Sequence, residues 1–138
     1  QVGNYGMVVP RFVQWALANE SIQIYGDGQQ SRCFANVFDV VDAIIGLSRS
    51  DAAVGEVFNI GSNHEVTIQQ LAETVIGQAG SASELTFIPY EQAYEVGFED
   101  MRRRVPDVSK IQQTIGWKPS TPLTTTIDQM IAAFRSED

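Results

Sequence analysis

IQIYGDGQQSR, residues 22–32, is a short apolar run that leads into a turn with two glycines and then an arginine. Ile22, Ile24 and Tyr25 predict a strand, which the Gly-Asp-Gly turn at 26–28 ends. Glycine lets the backbone turn sharply and lets a ligand approach closely. Arg32 carries a planar guanidinium that suits a phosphate. The segment predicts either a ligand-binding strand end or a plain turn with solvated polar side chains.

Helix and strand patterns alternate on both sides of this segment. Apolar spacing predicts five helices, over 8–18, from 39 onward, over 67–76, over 107–115 and over 121–134. Short strands are predicted at 56–60 and 85–88, and a loop with a turn or two of helix at 90–106. This alternation indicates an α/β fold with short strands and about five helices.

Helix ends are marked by capping residues. Asp39 and Asp107 are predicted N-caps of the second and fourth helices. Thr67 and Gln70 have the spacing of a capping box. Gly116 stands where a left-handed residue commonly ends a helix.

Composition excludes several classes of function. The chain has 138 residues, of which 43% are hydrophobic and 19% charged, which is typical of one folded domain. It carries 9 Lys+Arg against 17 Asp+Glu, a net charge of −8, which argues against nucleic acid or an anionic membrane as partner. The single Cys33 and the single His64 provide neither an internal disulfide nor a zinc site. We therefore expect a cytoplasmic protein that binds no metal.

A basic segment, MRRRVPD at 101–107, stands out in this acidic chain. Pro106 forces an extended approach to the helix that follows, so the arginines lie on a loop near that helix's N-terminus. Guanidinium groups and a helix N-terminus both favour an anion. The alternative is a solvated basic run with Asp107 as a plain cap, and Arg102 and Arg103 are expected to face solvent.

Motifs for the chemistry of dinucleotide enzymes are missing. The sequence contains no G-x-G-x-x-G loop and no P-loop. Its tyrosines, at 5, 25, 90 and 94, are not followed by a lysine four residues later. We therefore predict no catalytic residue and no cofactor-binding residue within this chain.

Four segments, in order, carry a resemblance to a known family: YGMVVPRFVQWAL at 5–17, IQIYGDGQQSRCFANVFDVVDAI at 22–44, GEVFNIGS at 55–62 and RRRVPDVSKIQQTIGWKP at 102–119. The chain resembles the C-terminal part of extended short-chain dehydrogenases/reductases, and most closely their nucleotide-sugar epimerases, decarboxylases and dehydratases. In that family an N-terminal Rossmann domain holds NAD, and a smaller C-terminal domain closes over the nucleotide sugar. The resemblance implies that residues 1–138 are the C-terminal domain, without the Rossmann domain, its glycine-rich loop and its Tyr-x-x-x-Lys pair.

The resemblance also implies contacts with the nucleoside. Val9 and Pro10 match a helix start beside the nucleobase. Ile24, Tyr25 and Gly26 match a strand end that lines the base and ribose.

Two arginines match the residues that bind the diphosphate, namely Arg32 and Arg104. Two guanidinium groups from separate segments would offset most of the diphosphate charge and add directional hydrogen bonds. Asp107 matches a position that lies near the ribose in some members, although its role as a cap competes with this.

The implied function is binding of a UDP- or dTDP-sugar within an NAD-dependent epimerase/dehydratase, with UDP-glucose 4-epimerase as the nearest type. The chain alone is expected to be inactive, since NAD and the catalytic pair belong to the missing domain. UDP-glucuronate decarboxylase and dTDP-glucose 4,6-dehydratase are alternatives for the whole enzyme, and a non-catalytic binding or oligomerisation module is the alternative of another class.

The helix from Asp39 and the strand from Glu56 are expected to expose apolar surface and to favour self-association. The whole enzyme is expected to be a homodimer.

Overall fold

Helices and short strands alternate along the chain in the computed structural model, which describes residues 7–89 and 101–136. Within those ranges the elements are α1 Val8–Leu17, β1 Ile22–Tyr25, β2 Ser31–Cys33, α2 Val37–Ser48, β3 Glu65–Thr67, α3 Ile68–Ala79, β4 Leu85–Ile88, β5 Arg103–Arg104, α4 Ser109–Ile115 and α5 Leu123–Ser136. The predicted α/β class with short strands and five helices is confirmed.

The strands form two small sheets. In the first, β1 and β4 run parallel, with Ile22 opposite Leu85. In the second, β2 is the central strand, antiparallel to β3 on one side and parallel to β5 on the other. The second sheet brings three distant parts of the sequence together beside α1.

The main core lies between α1, α3, α5 and β1. Helix α1 buries one face, at the spacing expected of an amphipathic helix, through Val9, Phe12, Val13 and Ala16. The buried partners from the other elements are Ile22, Ile24, Ile68, Leu71, Ala72, Val75, Ile127 and Ile131. This core fixes α1 and β1, which form part of the candidate site.

Helix α2 begins earlier than the sequence predicts. The Oδ1 atom of Asn36 accepts a hydrogen bond from the Phe38 amide at 2.9 Å, so Asn36 is the N-cap. The predicted cap at Asp39 is therefore wrong. Its buried carboxylate instead accepts hydrogen bonds of 2.8–3.1 Å from the amides and hydroxyls of Ser120 and Thr121. Asp39 thus fixes the loop that leads into α5.

The predicted strand at 56–60 is also wrong: residues 55–60 have no regular structure. Lys110 donates to the Val57 carbonyl at 3.0 Å, and Asn59 donates to the Asp107 carbonyl at 3.2 Å. A strand needs a second strand as hydrogen-bonding partner, and the part of the chain that the structure describes offers none here.

The basic segment differs from its prediction as well. Residues 103–104 form β5 instead of loop or helix, because β2 offers an unpaired edge to them. The preceding residues 90–100 lie outside the described ranges.

Two other helix ends agree with the sequence, and a third differs by one residue. The capping box of Thr67 and Gln70 is confirmed, and Gly116 ends α4 with a φ of 70°. The predicted cap at Asp107 is one residue off, because Val108 is the N-cap of α4 and has no side-chain cap. The Asp107 carboxylate still accepts a hydrogen bond from the Ser109 amide at 2.9 Å.

The outer face of α2 is apolar and exposed. Val37, Phe38 and Ile44 are each more than half exposed, and Val41 and Ile45 lie on the same face. Exposed apolar area of this kind commonly marks a surface that contacts another protein segment. We call these five residues the α2 face. No helix among the described residues is long and apolar enough to cross a membrane.

Candidate functional site

A cleft of about 720 Å³ opens between α1, the β2 edge and the segment that follows β5. Its volume is in the range of small-molecule sites. Gly61 lies on the cleft wall, where a Cβ atom would stand 3.2 Å from Cγ of Pro106. The absence of a side chain therefore lets residues 60–62 approach residues 104–106 closely.

The charged side chains in the described lining of the cleft are all positive, although the chain is acidic. Its lining includes Arg11, Arg32 and Arg104, and no Asp or Glu is among the described lining residues. The chain carries a net charge of −8. Concentrating three guanidinium groups in one concavity of such a chain favours a small anion there.

Arg32 and Arg104 occupy paired positions on β2 and β5. Side chains at paired positions of neighbouring strands point to the same face of a sheet. Both residues line the cleft, so the sheet brings together the two arginines that the resemblance assigned to a diphosphate. Their ligand role itself remains a prediction.

The guanidinium of Arg32 is held in place by backbone oxygens. Its Nη1 atom donates to the carbonyls of Ser31 and Met101, each at 2.7 Å. Anchoring a guanidinium in this way reduces the conformational entropy that a ligand would otherwise have to restrict.

Arg11 is a cleft residue that the sequence analysis did not select. Its guanidinium lies 5.0 Å from the centre of the Trp15 ring, and both residues line the cleft. The two are four residues apart on α1, a spacing that places side chains next to each other on a helix. The spacing of Arg11 and Trp15 is visible in the sequence and indicates that their side chains are neighbours.

The turn after β1 is rigidly built. Gly26 and Gly28 have φ angles of 73° and 70°, in the left-handed region that favours glycine. Asp27 accepts a hydrogen bond from the Gln29 amide at 3.0 Å, and the first amides of α3 donate to the carbonyls of Gly28 and Gln30 at 3.0 Å. The turn therefore presents fixed backbone next to the cleft.

Gln30 lines the cleft and is buried. Its amide group donates to the Tyr25 carbonyl at 3.0 Å, which fixes the orientation of the side chain. No hydrogen bond reaches its Oε1 atom within the described residues. Tyr25, which the resemblance placed beside the base and ribose, also lines the cleft.

The other predicted nucleoside contacts do not line the cleft. The side chains of Val9 and Ile24 belong to the main core. Pro10 and Gly26 are half-buried neighbours of cleft residues but are not among those that line it. Their assignment stays a prediction.

Asp107 is exposed and lies outside the cleft lining. The hydrogen bond from Ser109 lowers the pKa of its carboxyl group. Its described side-chain contact is with the Ser109 amide at the start of α4, and its contact with a ribose remains a prediction.

Two ion pairs flank the cleft arginines. Arg102 contacts Asp27 at 2.8 Å, and Arg103 contacts Glu65 at 2.7 Å. Arg102 and Arg103 are exposed, as expected, and each also has an acidic partner that the sequence did not predict. Hydrogen bonds from Arg103 and then Ser31 lower the pKa of Glu65.

The N-termini of α2 and α3 do not offer the free amides that NAD needs. A dinucleotide site needs free amides at a helix N-terminus behind a glycine-rich loop. In α3 the first amides donate to protein carbonyls, and the next, that of Gln70, donates to Thr67. In α2 the side chain of Asn36 caps the first turn. No step of a redox reaction is therefore assigned to these residues.

A metal site is likewise not formed by the described residues. Within 7–89 and 101–136 there is no group of three or more His, Cys, Asp or Glu side chains that could hold a metal ion.

Comparisons with known proteins show the family of this chain. The family model described as GDP-mannose 4,6 dehydratase matches residues 5–130. UDP-N-acetyl-alpha-D-glucosaminuronate decarboxylase of Bacillus cytotoxicus is 36% identical over 133 residues, which cover 96% of this chain and 41% of that protein.

Solved structures show the same fold. The crystal structure of UDP-glucose 4-epimerase from Thermotoga maritima with UDP-glucose has a TM-score of 0.84 and 30% identity, covering 98% of this chain and 41% of that one. The dTDP-glucose 4,6-dehydratase of Bacillus anthracis, in complex with NAD, has a TM-score of 0.80 and 24% identity, covering 98% of this chain and 42% of that one.

The chain spans about two fifths of the length of each of these three relatives. The family match, by contrast, extends over nearly the whole of this chain. The chain therefore belongs to the GDP-mannose 4,6-dehydratase family, among the NAD-dependent epimerases/dehydratases of the extended short-chain dehydrogenase/reductase type, and corresponds to their C-terminal part.

Proposed function

We propose that this chain binds a UDP- or dTDP-sugar in the cleft, with the diphosphate held by Arg32 and Arg104. The observation that carries the proposal is the pairing of these two arginines on β2 and β5, inside a cleft without acidic side chains among its described lining residues. A relative at 30% identity is described with UDP-glucose, which supports a uridine nucleotide as ligand.

Each of the cleft residues would contact a different part of the ligand. Arg32 and Arg104 neutralise the diphosphate and donate hydrogen bonds to its oxygens. Tyr25 and Trp15 offer flat apolar surface at the cleft wall for the nucleobase. Gln30 offers Oε1 as an acceptor for a donor on the ligand. Together these contacts would hold the nucleotide and leave the sugar to be positioned for reaction.

For the whole protein we propose a nucleotide-sugar enzyme that uses NAD. The support is the family match and the NAD complex of the Bacillus anthracis dehydratase. The residues in this chain would contribute binding energy remote from the reacting sugar, which enzymes use to position the reacting group. We propose that this chain alone has no turnover, because the motifs for hydride and proton transfer are missing from its sequence.

A UDP-uronate decarboxylase is the second candidate for the whole enzyme. One observation favours it over the 4-epimerase type expected from the sequence: the Bacillus cytotoxicus decarboxylase is 36% identical over 96% of this chain. The two candidates make the same prediction for the cleft, since both use a UDP-sugar.

The cleft proposal is tested by calorimetric titration of the full chain with UDP, UMP and uridine. We expect UDP to bind most tightly, with a loss of at least about tenfold when the second phosphate is removed, because one charge-assisted contact is worth roughly 1.5–3 kcal/mol. We also expect the UDP affinity to fall as salt rises, because the arginines are accessible to ions. Equal affinity for the three ligands would exclude the diphosphate assignment.

We propose, further, that the α2 face contacts the nucleotide-cofactor domain that the longer relatives possess. The support is that the chain spans only about two fifths of their length and that five apolar side chains on one helix face are exposed. Mixing the chain with a separately produced N-terminal portion of the Bacillus cytotoxicus relative should give a complex, which Ile44→Asp should abolish. If the chain associates only with itself, and the added N-terminal portion does not change this, the nucleotide-cofactor domain is not the partner of the α2 face.

A further inference from the structure

We propose that Asp27 and Glu65 are positioning residues: their ion pairs with Arg102 and Arg103 clamp β5 onto β2 and so keep Arg104 beside Arg32. We call these two ion pairs the clamp. Its ligand role rests on the proposed function of the cleft, whereas its structural role can be measured without any ligand.

The stronger half of the clamp is formed by Glu65 and Arg103. Arg103 donates from Nε and Nη2 to the two carboxylate oxygens of Glu65, at 3.0 and 2.7 Å. Ser31 donates its hydroxyl to the same carboxylate at 2.7 Å. Glu65 on β3 therefore joins the central strand β2 to the far strand β5. A two-pronged contact of this kind restricts orientation more than a single ion pair.

The second half joins β5 to the turn after β1. Arg102 donates to Asp27 at 2.8 Å, and the carbonyl of Arg102 accepts the Ser31 amide at 2.8 Å. Asp27 is itself fixed, because its other oxygen accepts a hydrogen bond from the Gln29 amide. The residue before β5 is thus held by its backbone and by its side chain.

The arrangement explains how a two-residue strand stays in place. β5 pairs with β2 over Arg103 and Arg104 only, which gives few ladder hydrogen bonds. Arg104 also stands beside Arg32, and like charges at paired positions repel each other. Within the described residues Arg104 forms no ion pair. The ion pairs of the two preceding residues therefore counteract a repulsion that would separate the strands.

The structural role is tested by hydrogen exchange of the Ser31 amide, which is bonded across to the Arg102 carbonyl. Exchange of this amide requires β5 to leave β2. We expect Glu65→Gln to speed it about threefold, the loss expected of one exposed ion pair, and Glu65→Gln with Asp27→Asn to speed it about tenfold. Both replacements retain an acceptor oxygen, so the bonds from Ser31 and Gln29 can persist.

A matched control is Glu56→Gln. Glu56 pairs with Lys110 at 2.7 Å and is as exposed as Asp27, but neither Glu56 nor Lys110 lines the cleft. This change should leave Ser31 exchange unaltered. Unchanged exchange in the double variant, or equal acceleration by the control, would overturn the clamp.

The ligand role is tested by comparing UDP and uridine in the same calorimeter. Glu65→Gln should weaken UDP binding about threefold and leave uridine binding unchanged, because only the diphosphate needs the two arginines aligned. In a variant that already carries Arg104→Ala, Glu65→Gln should not weaken UDP binding further. The exchanged pair Glu65→Arg with Arg103→Glu should recover most of the UDP affinity. The positioning role would be overturned if Glu65→Gln weakened UDP and uridine binding equally. It would also be overturned if Glu65→Gln weakened UDP binding by the same threefold in the Arg104→Ala variant.

The two proposals fail differently. No UDP binding by the unaltered chain would refute the proposed function, and with it the ligand role of the clamp, even if Ser31 exchange responds as expected. UDP binding that depends on Arg104 but not on Glu65 or Asp27 would refute the clamp alone.

Discussion

Arg32 and Arg104 stand opposite each other on two parallel strands, although seventy-one residues separate them in the sequence, and both side chains line the same cleft. Neither lies in a long strand: β2 has three residues and β5 has two. The pairing therefore depends on contacts outside the strands themselves. It also concentrates positive charge at one point of an acidic chain, which is the main physical support for an anionic ligand.

The buried carboxylate of Asp39 should control stability at acidic pH. Burial alone would raise its pKa, but hydrogen bonds from Thr121 and Ser120 outweigh burial and lower the pKa below the ordinary value. A lowered pKa in the folded state gives stability that is fully present above the unfolded pKa, roughly pH 3.9, and is lost as the pH falls through the folded value.

We therefore expect Asp39→Ala to destabilise the chain at pH 7 by about 2–4 kcal/mol, because several buried donors lose their acceptor. The difference from the unaltered chain should shrink as the pH falls below about 4. Urea unfolding at pH 7 and at pH 3 measures both effects. A difference that stays constant between these two pH values would contradict the assigned role of the carboxylate.

Gly28 and Gly77 offer a matched pair of substitutions to alanine. Gly28 has a φ of 70°, and a Cβ atom there would lie 3.1 Å from Gln69 and 3.2 Å from Ile24. We expect Gly28→Ala to destabilise the chain by about 1–3 kcal/mol, since L-residues disfavour this conformation. Thermal unfolding measures the change.

Gly77 lies inside α3, and no atom is within 4 Å of a Cβ atom placed there. Gly77→Ala should stabilise the chain by about 0.5–1 kcal/mol, because alanine loses less backbone entropy in a helix. If Gly28→Ala left the unfolding temperature unchanged or raised it, the assigned backbone geometry of the turn would be incorrect. If Gly77→Ala lowered it, the open position assigned to Gly77 in α3 would be incorrect.

The α2 face should cause the isolated chain to associate at high concentration. Phe38 and Ile44 are 67% and 54% exposed, and apolar patches of this size attract a partner. We expect the apparent mass in light scattering to rise with concentration and Ile44→Asp to suppress the rise. Thr124→Asp, which adds the same charge at an exposed site on α5, serves as the control. If the chain stays monomeric at all concentrations, the α2 face does not cause self-association.

The sequence predicted most of the helices, because apolar spacing and capping residues lie within the helix that they indicate. The apolar spacing of α1 and the capping box at Thr67 lie within one helix and need no knowledge of the rest of the chain. The strands were harder, since β2, β3 and β5 are too short to show alternation and form only when distant segments pair.

The errors at Asp39 and at 56–60 have a similar cause. Asp39 has the residue type and position of a cap, but its actual partners, Ser120 and Thr121, are eighty residues away in sequence. Residues 56–60 have strand-like composition and lack a partner strand among the described residues. At the site, Arg32 and Arg104 were selected through the family resemblance, while Asp27 and Glu65 could not be identified, because their roles depend on which arginine each one meets in space.

Calorimetric titration of UDP into the unaltered chain and into its Arg32→Ala, Arg104→Ala and Arg49→Ala variants tests the central claim most directly. Arg49 is an exposed arginine outside the cleft and controls for the loss of one positive charge. Each of the two cleft variants should bind UDP at least about tenfold more weakly, because each removes a charge-assisted contact, and Arg49→Ala should bind as the unaltered chain does. UDP affinity that is unchanged in Arg32→Ala and Arg104→Ala would contradict the assignment of the cleft to a nucleoside diphosphate.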